Sequence, residues 1–188
     1  PLSEHRVKRT LEVAERVSDI IAENNGKCFV IGASALAAHG YSRQSVDLDL
    51  ATHLHPHEVL PRLRDRIAAA GFAADMILPD SDDPLGGVIN ITGPDFDTVQ
   101  VINFYNPLRW AAVHRLVDQA LSELQMLPSE LQVVSAELLI VLKLYAGDLQ
   151  SLGDIRKLLE ANTSIDLTKV AELSHEAGLE KEWNAVRP

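Results

Sequence analysis

Two alternating apolar segments on either side of a tight turn place the strongest constraint on the fold of this chain. In GGVINITGPDFDTVQVINF, residues 86–104, apolar and polar side chains alternate, as they do on strands that bury one face. The Thr-Gly-Pro-Asp stretch between the segments is a turn signal, so the two segments predict a β-hairpin.

The other elements follow from changes in hydrophobic period and from glycine and proline signals. In chain order the sequence predicts a helix over 3–24, a buried strand CFVI, a glycine turn and short helix ending at Gly40, a strand SVDLDLAT over 45–52, a helix over 56–71 with Pro61 as an alternative start, the hairpin, and helices from Pro107 onward. This order predicts a mixed α/β (α+β) core, a small mixed sheet flanked by helices, with a C-terminal helical part.

The length of 188 residues allows one well-filled core. We expect an N-terminal helix (1–24) that packs on an α/β core (25–106), followed by a helical region (107–188) that forms one compact unit with the core. In the last region, Trp110 is expected on an apolar helix face with other core residues.

The composition indicates which cellular compartment and which classes of binding partner to expect. No apolar run approaches the roughly 18 residues of a membrane span, and no signal peptide is recognisable, so we expect no membrane partner. The single cysteine, Cys28, lies in an apolar run and is expected to be a small core residue, which fits a reducing cytoplasm. A net charge of −10 argues against a broad basic groove for nucleic acid.

The strand SVDLDLAT carries two aspartates where a half-buried strand should carry neutral side chains. Asp47 and Asp49 are two residues apart, so their side chains share a face. Two explanations are open: the strand face is simply solvated, or a divalent cation lies between the carboxylates. Gly32, Ala33 and Ser34, between the preceding strand and its helix, could direct backbone N–H groups and a hydroxyl at an anion. Together the two features suggest phosphoryl or nucleotidyl transfer.

The stretch FVIGASALAAHGYSRQSVDLDLAT resembles the motif of the nucleotidyltransferase superfamily, which has a polymerase-beta-like fold. In that motif a strand ends in Gly-Gly or Gly-Ser, a helix follows, and a strand carries the paired aspartates. Gly32-Ala33 occupies the first place here, and Ala33 departs from the motif because its Cβ restricts the approach that a second glycine would allow. ALAAHGYSRQSVDLDL is especially similar to a bacterial branch, the AbiEii-type and minimal nucleotidyltransferases. The helix with Lys143 and the next helix with Asp154 extend the resemblance, which covers residues 25–160.

The resemblance implies an activity and a set of site residues. A nucleoside triphosphate would bind with Mg²⁺ or Mn²⁺, and a nucleoside monophosphate would pass to an acceptor hydroxyl that the sequence does not identify. Asp47 and Asp49 would be the catalytic metal ligands, and the nucleotide would contact Gly32, Ala33, Ser34, Arg43 and Lys143. The bacterial branch also implies a cognate protein partner in a toxin–antitoxin pair.

The sequence departs from this family where a third carboxylate is expected. In DTVQVINF the position is occupied by Gln100, whose amide carries no charge and cannot act as a general base near neutral pH. Asp97 lies three residues earlier and is expected on the opposite strand face. The protein is therefore either an enzyme that works with two carboxylates or a binding or regulatory protein with weakened catalysis.

Three further features have two explanations each. Lys143, in an apolar helix, either points at a phosphate or pairs with Asp154, and this pair could also hold the lysine in place. Arg43 either contacts phosphate or is a solvated turn residue. The alternating histidines of HLHPHE, residues 53–58, either bind zinc or form a solvated loop.

Overall fold

The computed structural model describes residues 4–109, 111–124 and 130–188, so the prediction for Trp110 lies outside the described residues. The elements, in chain order, are α1 (Glu4–Glu23), β1 (Phe29–Ile31), α2 (Gly32–Ala38), β2 (Asp47–Thr52), α3 (Leu60–Ala69), β3 (Ala73–Ile77), β4 (Val88–Thr92), β5 (Thr98–Asn103), α4 (Ala112–Glu123), α5 (Ala136–Ala146), α6 (Leu149–Ala161), α7 (Leu167–Ala177) and α8 (Glu180–Val186).

The five strands form one mixed sheet in the order β1-β2-β5-β4-β3. β2 and β5 run parallel, and the other neighbouring pairs are antiparallel. The predicted hairpin is β4–β5, joined by the turn at residues 93–97. The paired aspartates therefore lie on a central strand, between β1 and β5.

The two faces of the sheet differ sharply in burial. One face is part of the hydrophobic core, where its side chains are at most 4% exposed: Leu48, Leu50, Ile89, Ile91, Val99 and Val101. Helix α1 contacts β2, β5 and α3, and α3 contacts β3. The alternate residues of β2, β4 and β5, which include Asp47, Asp49 and Gln100, are mostly half-buried.

The C-terminal helices pack around α5, whose side chains are buried on nearly all sides. Ser135 caps the start of α5 by accepting a hydrogen bond from the Leu138 N–H, and Gly147 ends the helix in the left-handed conformation. Helix α5 contacts α2, α4, α6 and α7. Through α2 it brings the C-terminal part of the chain against the segment that precedes β2.

The predicted mixed α/β fold with a helical C-terminal part is confirmed, with two differences in detail. The helix predicted over 56–71 begins at Leu60, with Pro61 in its first turn, where a missing N–H costs no hydrogen bond. β3 was not predicted from the sequence. It begins two residues after the Gly71 turn, and its exposed Ala73, Asp75 and Ile77 give only a weak alternation signal.

Cys28 is buried, as predicted, and burial raises the pKa of its thiol to about 11. A thiol of this kind is a poor nucleophile. Among the helices of the described residues, none has both the length and the apolar character needed to cross a membrane.

Candidate functional site

Asp47 and Asp49 lie side by side on β2, and both are half-buried. Side chains two residues apart on a strand are separated by roughly 6.5 Å at Cα, close enough for both carboxylates to hold one cation. Within the described residues, neither carboxylate accepts a hydrogen bond. Their oxygens are therefore available to an external cation.

The charge of Asp49 is unfavourable in its surroundings. Burial and, to a lesser extent, the neighbouring charge of Asp47 raise the pKa of the Asp49 carboxyl to about 6, while Lys143 and Arg43 oppose the shift. Two like charges in a half-buried site favour any ligand that brings positive charge between them. The electrostatics therefore suit a divalent cation.

Gly32 lies directly against the Asp49 carboxylate. Its φ is +65°, and a Cβ built on it would lie 2.0 Å from Asp49 Oδ2. Only glycine combines this left-handed conformation with so close an approach. From the sequence, Gly32 was expected to contribute its backbone N–H, and the structure adds a steric requirement set by Asp49.

Ala33 and Ser34 begin α2 next to Gly32. Ala33 is buried, and Ser34 is half-buried. Both line a cavity of about 170 Å³ that is also bordered by Arg43 and Asp47. The turn after β1 is thus adjacent to the first of the two aspartates.

Lys143 and Arg43 share one buried carboxylate. Lys143 Nζ lies 2.7 Å from Asp154 Oδ2, and Arg43 Nε lies 3.1 Å from the same carboxylate. Asp154 is only 3% exposed. Turned so that its amide oxygen faces the guanidinium, Gln150 also accepts hydrogen bonds from Arg43. Lys143 therefore pairs with Asp154, and Arg43 is an ion-paired residue rather than a solvated one.

This ion-paired cluster is near the two aspartates. Lys143 and Arg43 both act on the pKa of Asp49, although Asp154 balances part of their charge. Lys143 and Gly32 line the same cleft of about 280 Å³, which is otherwise mostly apolar and includes Phe104 and Tyr145. The cleft lies between the sheet and α5.

Gln100 occupies the β5 position directly in register with Asp49. Its side chain therefore projects from the same face of the sheet as the aspartates. Its amide Nε2 donates a hydrogen bond to Asn90 Oδ1 on β4, at 2.8 Å. Asn90 was not predicted as a site residue, because in the sequence it is an ordinary polar position of an alternating strand.

Asp97 makes its hydrogen bonds with helix α1. Its carboxylate accepts a hydrogen bond from Arg6 Nε of α1 at 2.6 Å, and its backbone N–H donates to Thr10. It lines the 170 Å³ cavity on the α1 side with Asp47. The carboxylate is thus tied to α1 rather than in register with Asp49.

The histidine tract contacts aromatic and acidic neighbours. His53 Nδ1 lies 3.3 Å from Asp118 Oδ1, and the His53 and His55 rings pack against Tyr105. Burial lowers the pKa of His53. No cluster of three or more His, Cys, Asp or Glu side chains suited to a metal occurs in residues 4–109, 111–124 and 130–188.

Neither a protein-family model nor a curated protein sequence matches this chain. Several solved structures are similar to it. The antibiotic-resistance factor ANT(2'')-Ia in solution is 15% identical, with a TM-score of 0.56, and the alignment covers 95% of each chain. Its crystal structure in complex with adenylyl-2''-tobramycin is 16% identical, with a TM-score of 0.51, over 92% of this chain and 98% of that one.

The chain has a nucleotidyltransferase fold. A candidate nucleotidyltransferase from Helicobacter pylori is also similar over 100% of both chains, at 16% identity and with a TM-score of 0.45. At such identities the likeness concerns the fold alone.

Within this nucleotidyltransferase fold, the donor set fits a hard divalent cation. Asp47 and Asp49 offer carboxylate oxygens, and Gln100, in register with Asp49, offers an amide oxygen. Oxygen donors of these types suit Mg²⁺ and Mn²⁺ rather than softer metals. Two carboxylates attract a divalent cation less strongly than three would.

Proposed function

We propose that this chain binds a nucleoside triphosphate with Mg²⁺ or Mn²⁺ and transfers a nucleoside monophosphate to an acceptor hydroxyl. The observation that carries the proposal is the Asp47–Asp49 pair on β2, in which the Asp49 carboxylate packs against Gly32 and is unfavourably charged without a cation. The nucleotidyltransferase fold supports the same reaction class.

In this proposal each residue of the candidate site has a defined role. Asp47 and Asp49 hold the cation through their carboxylate oxygens, and the bound cation supplies charge neutralisation at the phosphates. The acceptor oxygen forms a bond to the α-phosphorus, the bond from the α-phosphorus to the bridging β-phosphate oxygen breaks, and pyrophosphate leaves with the electron pair. The acceptor hydroxyl loses its proton to water, because the Gln100 amide cannot accept it. Gly32, Ala33 and Ser34 contact the phosphates through the turn after β1.

Lys143 and Arg43 supply positive charge near the phosphates, and Asp154 holds both side chains in place. The short contacts to Asp154 support this role. A lysine or arginine side chain that is already held in place loses little conformational freedom when the nucleotide binds. In this role Asp154 acts through Lys143 and Arg43 and makes no contact with the nucleotide.

The acceptor is proposed to be a hydroxyl-bearing molecule without extensive negative charge. The crystal structure with adenylyl-2''-tobramycin contains a nucleotidylated small molecule bound to a related fold. The net charge of −10 disfavours a long RNA acceptor in the absence of a basic partner. A cytoplasmic location, where nucleoside triphosphates are plentiful, fits the proposal.

The test is calorimetric titration of ATP, GTP, CTP and UTP in Mg²⁺ and, separately, in chelator. We expect the wild type to bind at least one nucleotide only with metal. Asp47→Asn and Asp49→Asn, which keep side-chain shape and remove charge, should abolish this binding. Asp75→Asn, an exposed aspartate on β3, is the matched control and should bind normally. Equal binding by wild type and both site variants would contradict the proposal.

A second candidate is a nucleotidyltransferase-fold protein that binds nucleotide or a protein partner but has lost turnover. Gln100 favours it, because an amide in register with Asp49 cannot take a proton from an acceptor. The AbiEii-like sequence makes one component of a toxin–antitoxin pair the natural form of this alternative. Metal-dependent nucleotide binding without pyrophosphate release, when acceptors from a cell extract are supplied, would favour it.

A further inference from the structure

A row of four polar residues crosses the sheet from Asp49 to its last strand. Asp49 is in register with Gln100, Gln100 with Asn90, and Asn90 with Asp75. Residues in register on neighbouring strands project from the same face. Asp49, Gln100 and Asn90 are half-buried and Asp75 is exposed, whereas the side chains that alternate with the first three are buried in the core.

Within this row the two amides form one hydrogen-bonded unit. Gln100 Nε2 donates to Asn90 Oδ1 at 2.8 Å, toward β4. A glutamine amide has a donor end and an acceptor end, so the partner of the nitrogen determines where the oxygen is available. With the nitrogen held on the β4 side, Oε1 is left for the β2 side, where Asp49 lies. With Asn90 Oδ1 directed at Gln100, as it is in the structure, reversal of the Gln100 amide alone would bring two carbonyl oxygens together with no proton between them.

We propose that Asn90 is a positioning residue that orients the Gln100 amide so that Oε1 serves as a neutral third oxygen ligand beside Asp47 and Asp49. The inference rests on the proposed function, since it requires a divalent cation at the two aspartates. Hard cations accept amide oxygens as ligands. Groups that hydrogen-bond to a ligand fix its orientation and are commonly almost as important as the ligand itself.

Without Asn90, the Gln100 side chain could present either its NH₂ group or its oxygen to the cation. An NH₂ group carries partial positive charge and would repel a divalent ion. By accepting the hydrogen bond from Gln100 Nε2 through its Oδ1, Asn90 holds the Gln100 amide with its oxygen free for the cation. Because the Gln100 amide is neutral, the site carries one negative charge fewer than it would with a third carboxylate, which lessens repulsion of the triphosphate.

The test measures Mn²⁺ affinity by electron paramagnetic resonance of free Mn²⁺, with no nucleotide and no turnover. Asn90→Leu removes the hydrogen-bond acceptor, and Asn90→Ala does so with a smaller side chain. We expect each to weaken Mn²⁺ binding about tenfold, the scale typical of groups that support a metal ligand. Asn90→Asp keeps an acceptor oxygen and should bind Mn²⁺ at least as tightly as the wild type.

A double-mutant cycle separates positioning from general structural damage. Gln100→Leu should lose about as much affinity as Asn90→Leu, and the double variant should lose no more than either single one. Asp75→Asn changes the next residue of the row, which has no hydrogen bond to Gln100 among the described residues, and should leave Mn²⁺ affinity unchanged. Circular dichroism and thermal melting verify that each variant is folded.

Two outcomes would overturn the inference. Either Asn90→Leu and Asn90→Ala both leave Mn²⁺ affinity unchanged, or they lower it equally in the wild-type and Gln100→Leu backgrounds. If Mn²⁺ binding requires Asp47 and Asp49 but is unchanged by the substitutions of Asn90, this inference is overturned and the proposed function stands. A wild type with no Mn²⁺ affinity would overturn both.

Discussion

Lys143 Nζ lies 2.7 Å from Asp154 Oδ2, and this buried ion pair joins helix α5 to helix α6 beside the two aspartates. Arg43, which precedes β2, contacts the same Asp154 carboxylate. A single side chain thus links the C-terminal helices to the segment leading into the candidate site. Stability and nucleotide binding should therefore both depend on Asp154.

Asp154→Asn should destabilise the protein strongly, because it leaves the Lys143 ammonium buried without its counter-charge. Breaking a buried pair in this way costs about 3–5 kcal/mol. Urea denaturation measures the free energy of unfolding. The double variant Lys143→Met/Asp154→Leu is the control and should recover most of the loss. A free energy of unfolding for Asp154→Asn within about 1 kcal/mol of the wild-type value would be far less than the expected loss and would show that the ion pair does not stabilise the fold.

Gly32→Ala should destabilise the protein more than an alanine at another glycine of the same conformation. Gly178 is the matched control, since its φ is +72° and nothing lies within 4 Å of a Cβ built on it, whereas at Gly32 the Cβ meets Asp49. Both variants incur roughly 1–2 kcal/mol for a left-handed alanine. Gly32→Ala should lose a further 1–3 kcal/mol or so from overpacking. Equal losses in chemical denaturation would refute the close contact with Asp49.

The raised pKa of Asp49 predicts a pH dependence of stability. The pKa rises from 3.8 in the unfolded chain to about 6 in the folded one, so the folded state binds more protons between these values. In chelator, the contribution of Asp49 to stability is therefore complete below pH 4 and is lost as the pH rises through 6. The loss is on the order of 3 kcal/mol.

Comparison with Asp49→Asn isolates this effect. The variant should be as stable as the wild type near pH 4 and more stable above pH 6, as measured by urea denaturation across pH 4–8 in chelator. Asp75→Asn should follow the wild-type curve. If the difference between wild type and Asp49→Asn is constant with pH, the proposed environment of Asp49 is wrong.

Gln100→Asp should restore the third carboxylate of the family pattern. A third negative ligand should raise Mg²⁺ and Mn²⁺ affinity, and a charged base beside the acceptor could add about 10²–10⁴-fold in rate. The variant should melt at a lower temperature than the wild type in chelator, because three carboxylates repel one another, and regain stability with metal. A melting temperature that responds to neither the substitution nor the metal would place residue 100 outside the site.

Local patterns were sufficient to predict most of the fold. The alternation in 86–104 predicted the hairpin, and the apolar period of 3–24 predicted α1, because both elements bury one regular face. β3 was missed, since an exposed edge strand containing two alanines has little apolar contrast. Its position is set by pairing with β4, which no local pattern reveals.

The candidate site was predictable only where function imposes an unusual residue. Asp47 and Asp49 were conspicuous as paired charges in a strand, and Lys143 as a charge in an apolar helix. Asn90 could not be found, because its importance comes from a hydrogen bond across two strands to Gln100. The Lys143–Asp154 pair was one of two alternatives predicted from the sequence, but the sequence could not show that Arg43 shares the same carboxylate, since Arg43 is 111 positions away from Asp154.

The most direct test of the central claim is a crystal structure with Mn²⁺ and a non-hydrolysable nucleoside triphosphate, in which anomalous scattering locates the metal. We predict an anomalous peak roughly 2.1 Å from oxygens of Asp47 and Asp49, with the triphosphate bound to the same ion. The Asp47→Asn/Asp49→Asn variant, crystallised in the same way, should lack that peak. A nucleotide bound away from β2, or a metal peak that persists in this variant, would contradict the proposed metal site.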